Sequence, residues 1–119
     1  MAITGIDHVQ VAAPAGCEEA ARAFYGGLLG LEEIPKPAAL AGRGGCWFRA
    51  GAQELHVGVE EPFAPAQKAH PGLGADDLGA LADRLRDGGH EVALDEAIPG
   101  ATRFHVADPF GNRLEIRQG

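Results

Sequence analysis

Four side chains suited to holding a metal ion sit at corresponding places in the two halves of the 119-residue sequence. His8 and His70 are separated by 62 positions and His56 and Glu115 by 59, so one unit, written twice, accounts for both pairs. Val9 and Val11 follow His8, Leu73 follows His70, Leu55 and Val57 flank His56, and Leu114 and Ile116 flank Glu115. Neighbours in a strand point to opposite faces, so each ligand-type side chain turns away from its apolar neighbours. Two or three imidazoles with one carboxylate suit Zn, Fe(II), Ni, Mn or Co. Two His and one carboxylate with open positions is also the donor set of non-haem Fe(II) chemistry. A single strand histidine would mean little; the matched positions carry the reading. His90 and His105 fall outside the set: His90, after the Gly88-Gly89 helix stop, reads as exposed, whereas His105 shares the face of Arg103 and could line the cleft.

The elements that must position these groups follow from periodicity. Residues 3–11 alternate, with Ile6, His8 and Gln10 on one face, and predict a strand. Residues 17–25 place Cys17, Ala20, Ala21 and Phe24 at helical spacing behind Glu18-Glu19, which suit a helix N-terminus. Short strands are expected at 31–34, 45–49 and 54–59. After the proline-marked linker 61–65 the order recurs: a strand at 70–75, a helix capped by Asp76 or Asp77 with Leu78, Leu81, Ala82 and Leu85 as its core stripe, then strands at 91–94, 103–107 and 113–117. Asp108-Pro109-Phe110-Gly111-Asn112 reads as a tight turn feeding the last strand. The fold class is therefore α+β: two βαβββ modules, about 1–60 and 69–119 of a single domain, forming an incomplete barrel-like sheet around a cleft.

Charge and composition narrow the function. Seventeen acidic against ten basic residues give a net charge of -7, which argues against nucleic-acid or anionic-membrane partners. The N-terminus lacks a basic segment followed by an apolar run, and a cytoplasmic location is expected. Cys17 and Cys46 form no Cys-x-x-Cys pair and read as reduced, buried apolar residues. Arg43, Arg49, Arg103 and Arg113 could clamp a carboxylate or phosphate with a planar fork. Gln10, Trp47, Arg49 and Arg103 are the candidate substrate contacts. Open sheet edges in a chain of only two modules predict a homodimer.

In this order, Asp7-His8-Val9, Phe24-Tyr25 with Leu29-Gly30-Leu31, Leu55-His56-Val57, His70 with Asp76-Asp77-Leu78, and Asp108-Pro109-Phe110-Gly111-Asn112 with Leu114-Glu115 resemble the vicinal oxygen chelate superfamily, the glyoxalase, bleomycin-resistance and extradiol-dioxygenase group. The resemblance implies paired βαβββ modules around a divalent metal that binds vicinal oxygens of a small-molecule substrate. Carried over by position, it implies His8, His70 and Glu115 as ligands. His56 departs from it, because glyoxalase I-like members typically have Glu or Gln there. The leading expectation is a metal-dependent lyase or isomerase with Glu115 or His56 moving the proton. The alternatives are an Fe(II)-dependent extradiol-type dioxygenase and a metal-free drug-sequestration protein of the bleomycin-resistance type.

Overall fold

A computed structural model describes residues 2–95 and 102–119. The chain divides into a first unit, Met1–Ala64, and a second, Pro65–Gly119. In the first, β1 (His8–Ala13) leads into α1 (Glu18–Ala21), which continues as a π-helical segment (Arg22–Leu28). Then come β2 (Glu32–Ile34), a 3₁₀ turn (Ala38–Arg43), β3 (Cys46–Ala50) and β4 (Gln53–Val59). The second unit repeats the order with β5 (Gly72–Ala75), α2 (Leu78–Asp87), β6 (Ala93–Asp95), β7 (Arg103–Ala107) and β8 (Arg113–Gln118). Both four-stranded sheets share one topology, β1-β4-β3-β2 and β5-β8-β7-β6, with the first and last strands of each unit parallel. The expected α+β architecture of two βαβββ modules is what the chain adopts. No helix among the described residues is long and apolar enough to cross a membrane.

Each sheet buries one face. In the first unit Val11, Ala13, Cys46, Phe48, Leu55 and Val57 are buried with Phe24 and Tyr25 of the helical segment. Tyr25 meets Phe24 edge-on at 5.0 Å and Phe48 at 5.8 Å, distances at which aromatic rings attract beyond their buried area. In the second, Phe104, Val106, Leu114 and Ile116 are buried together with Leu78, Ala82 and Leu85 of α2. These three recur at intervals of four and three, the single stripe a surface helix needs. Asp77 caps α2, its Oδ1 accepting from Ala80 N at 3.0 Å and satisfying one of the orphan N–H groups at the helix start.

Several boundaries differ from expectation. β1 begins at His8 and not at residue 3, because Ile3 and Ile6, 91% and 68% exposed, have nothing to bury against. His70 precedes β5 instead of opening it. His90 is half-buried, not exposed, since its N–H returns to Leu85 O at 2.9 Å and closes the helix end. The expected α-helix over 17–25 becomes π-helical from Arg22, and Cys17 supplies no side-chain cap.

Glu18 ties α1 to the sheet. Its Oε2 accepts from Gly45 N at 2.6 Å. A side chain at Gly45 is excluded twice over: φ is +85°, and a Cβ would lie 2.0 Å from Val57 O. The Gly45 N–H bond, followed by a bond from its own backbone, holds the Glu18 carboxyl below its ordinary value of 4.5. A depressed folded-state value means stability that is present above the unfolded value and lost as pH falls through the folded one. The melting temperature of the native protein should therefore fall more steeply between pH 6 and pH 3 than that of Glu18→Gln. Parallel curves in thermal denaturation would remove the role assigned to this bond.

Candidate metal centre

The centre is built on the face of the second sheet opposite its apolar core residues. On β7, Arg103 and His105 point away from buried Phe104 and Val106; on β8, Arg113, Glu115 and Arg117 point away from buried Leu114 and Ile116. Register sets His105 directly opposite Glu115, and Gly72 opposite Glu115 from the other side. Gly72 presents no side chain, so His70, two residues earlier, reaches the carboxylate. His70, His105 and Glu115 each offer a ligand atom, all within 4.8 Å of one another. Glu115 Oε1 lies 3.5 Å from His70 Nε2 and 3.7 Å from His105 Nε2.

The donor set fits a divalent ion. Ligands about 2.1 Å from a tetrahedral ion stand roughly 3.4 Å apart, close to both separations. His70 Nδ1–H donates to Lys68 O at 2.9 Å, which turns Nε2 toward the Glu115 carboxylate, the second-sphere bond typical of a metal-ligating histidine. Burial pushes the Glu115 carboxyl up, but the Arg103 charge first, then hydrogen bonds from His70 and Arg103, outweigh it and hold it below the usual carboxylate value, so it is ionised at neutral pH.

Arg103, expected to contact substrate, is turned inward. Its Nη1 donates to Glu115 Oε1 at 3.0 Å and its Nη2 lies 2.9 Å from Asp95 Oδ2, while Nε is buried without a hydrogen-bond partner among the described residues. Asp95 also faces His105 Nδ1 at 3.8 Å.

In the first unit, His8, His56 and Trp47 form a ring stack. The Trp47 and His56 rings stack at 3.8 Å and 3°, and the His8 ring stacks on His56 at 4.3 Å and 16°. β4 lies between β1 and β3, so His56 is sandwiched, and it is only 4% exposed. His56 Nε2–H donates to Glu54 Oε1 at 2.9 Å, and His8 Nδ1–H donates to Asp7 Oδ2 at 2.9 Å. The other expected contacts share this face. Arg49 is exposed and pairs with Glu32 at 3.3 Å, and Gln10 lies across Gly58, where a Cβ would meet its amide at 2.7 Å.

Sequence reasoning placed His105 on the Arg103 face but not among the ligands. It is the repeat partner of Trp47: Trp47 pairs with His56, and His105 with Glu115. Nine positions separate the first pair and ten the second, so an overlay at constant offset sets Trp47 against Val106 and hides the match. Following the strand pairing instead of the offset would have found it.

A family model described as the Glyoxalase/Bleomycin resistance protein/Dioxygenase superfamily matches residues 5–116. Among solved structures, a putative glyoxalase family protein from Bacillus anthracis is 55% identical, with a TM-score of 0.95 over 100% of this chain and 98% of that one. Lactoylglutathione lyase from Agrobacterium tumefaciens is 23% identical, with a TM-score of 0.75 over 98% and 95% of the two chains. The fosfomycin resistance protein FosX from Listeria monocytogenes is 14% identical, with a TM-score of 0.79 over 99% and 95%. These last two likenesses speak for the fold alone. No curated protein matches.

Proposed function

Because the chain belongs to the glyoxalase/bleomycin resistance protein/dioxygenase superfamily, we propose that it is a divalent-metal-dependent enzyme of lyase or isomerase type. Its substrate is a small molecule presenting two neighbouring oxygens. The observation that carries the reading is Glu115 Oε1 standing 3.5 Å and 3.7 Å from the Nε2 atoms of His70 and His105.

His70, His105 and Glu115 would hold the ion. When bound, it would polarise adjacent substrate oxygens and offset developing negative charge. Lys68 O keeps His70 in the tautomer that presents Nε2. Arg103 joins Glu115 to Asp95 and fixes the carboxylate in place. Proton handling falls to His56, whose Nε2 meets Glu54 Oε1, and to Glu115. The resemblance adds His8 as a ligand. Two histidines and one carboxylate also serve non-haem Fe(II) oxygenases, which makes ring-opening oxygenation the second reading.

Elemental analysis of untagged protein purified without chelators tests this directly. Near-stoichiometric Zn, Ni, Mn or Co, lost in His70→Ala, supports the lyase or isomerase reading, and Fe supports the second. A further loss in His8→Ala would extend the ligand set as the resemblance implies. Metal-free protein that takes up none of these ions sinks the enzyme reading and leaves sequestration.

A further inference from the structure

Arg113 occupies the nitrogen that an ion would need. Its Nη2 donates to His105 Nε2 at 3.2 Å, and that same nitrogen is the one 3.7 Å from Glu115 Oε1. A neutral imidazole has one lone pair in its ring plane. It can accept from Arg113 or be given to an ion, and it cannot do both. With Nε2 accepting, the proton of the ring sits on Nδ1, 3.8 Å from Asp95 Oδ2, so that nitrogen has no lone pair to offer.

We propose that Arg113 latches His105, releasing this third ligand to a divalent ion when an oxyanionic substrate draws the guanidinium away, so that metal and oxyanion bind cooperatively. The inference rests on the metal reading of His70, His105 and Glu115, and it names the substrate class as carboxylate- or phosphonate-bearing.

Charge and bond strength support it. Arg103, Arg113 and Arg117 share one face of β7 and β8 with Glu115, and Asp95 joins them through Arg103. Among the described residues of this cluster, three guanidinium charges against two carboxylates leave one positive charge in excess, and a divalent ion would raise the excess to three. That excess calls for an anion, even in a chain of net charge -7. Arg113 is exposed and free to swing. Its present bond is to a neutral acceptor, whereas a bond to an oxyanion would be charged on both sides and about twice as strong. Coupling of this kind is reciprocal: whatever factor the anion contributes to metal affinity, metal contributes to anion affinity. Arg113 is thus a positioning residue, acting through His105.

The test is Co²⁺ binding, followed by calorimetry and by the visible Co²⁺ spectrum, with methylphosphonate as the oxyanion and dimethyl methylphosphonate as its neutral control. Saturating methylphosphonate should tighten Co²⁺ binding to the native protein about 5- to 20-fold, and the neutral ester should not, a coupling within the usual range. Arg113→Met and Arg113→Gln, already unlatched, should bind Co²⁺ about 5- to 20-fold more tightly without anion and respond to methylphosphonate less than about twofold. Unchanged or weaker Co²⁺ binding in both variants overturns the latch, as does an undiminished methylphosphonate effect, which would place the anion on the ion alone. If Co²⁺ is lost in His70→Ala and Glu115→Gln while Arg113→Met behaves as native, the latch fails and the metal centre stands. If the native protein binds no Co²⁺, both fail.

Discussion

Glu115→Gln should weaken divalent metal binding by at least about 100-fold, equivalent to about 2.7 kcal/mol, with the fold intact. The substitution keeps shape and one acceptor oxygen, so Arg103 Nη1 retains a partner. What it removes is the negative charge on the atom shared by His70, His105 and Arg103. An ion placed there would meet two neutral imidazoles and a nearby guanidinium, with Asp95 the remaining carboxylate of the cluster. Stability should fall by only about 1–2 kcal/mol, because Glu115 and Arg103 are mostly but not fully buried, at 12% and 17% side-chain exposure, and screening weakens their attraction. The native protein should also lose stability on acidification as Glu115 is protonated. Its folded-state value is depressed, so the contribution is present above the ordinary carboxylate range and lost below it. The glutamine variant should lack this component. Calorimetric titration with Zn²⁺ or Co²⁺ is the measurement, and a glutamine variant that binds like the native protein would remove Glu115 from the centre.

Asp108→Ala should cost about 3 kcal/mol, or roughly 12 °C in melting temperature for a chain of this size. Asp108 Oδ1 accepts from Phe110 N at 2.9 Å and Asn112 N at 2.8 Å, and Oδ2 accepts from Asn112 Nδ2 at 2.9 Å. Asp108 and Asn112 are only 4% and 6% exposed, so truncation leaves donors in a place water reaches poorly. Gly111, at φ +91°, lets the chain turn within this network. The same turn sets the pairing of β7 with β8, Val106 against Leu114 and His105 against Glu115. A slip of one residue would send Glu115 toward the core and Leu114 outward. Metal binding should therefore weaken in Asp108→Ala although no ligand has changed, and Asp108→Asn should lie between it and the native protein. Urea unfolding with Co²⁺ titration checks both halves. A loss under about 1 kcal/mol would show that the turn does not hold the register.

The backbone plan was legible because local rules and the repeat agree. Alternation located most strands to within two residues, the Asp77 cap and the Leu78, Ala82 and Leu85 stripe located α2, and the doubled order foretold two sheets of one topology. The superfamily, too, could be recognised from its ordered motifs. The contact of His70 with Glu115 was less readable: His70 lies before β5 and reaches the carboxylate because Gly72, opposite Glu115, presents no side chain.

Other features needed the folded chain. Whether a polar side chain is available depends on neighbours from other strands, and those neighbours are fixed by register, which a one-residue difference between connections can shift. His105 entered the centre that way, and its repeat partner Trp47 became one layer of a stack with His56 and His8. Arg103 was legible as a cation on the correct face, but only packing showed it bound to Asp95 and Glu115 instead of facing outward for a ligand. Residue type and spacing determine what a side chain can do; the competition among partners within about 4 Å, which exists only once the sheets have formed, decides which of those things it does.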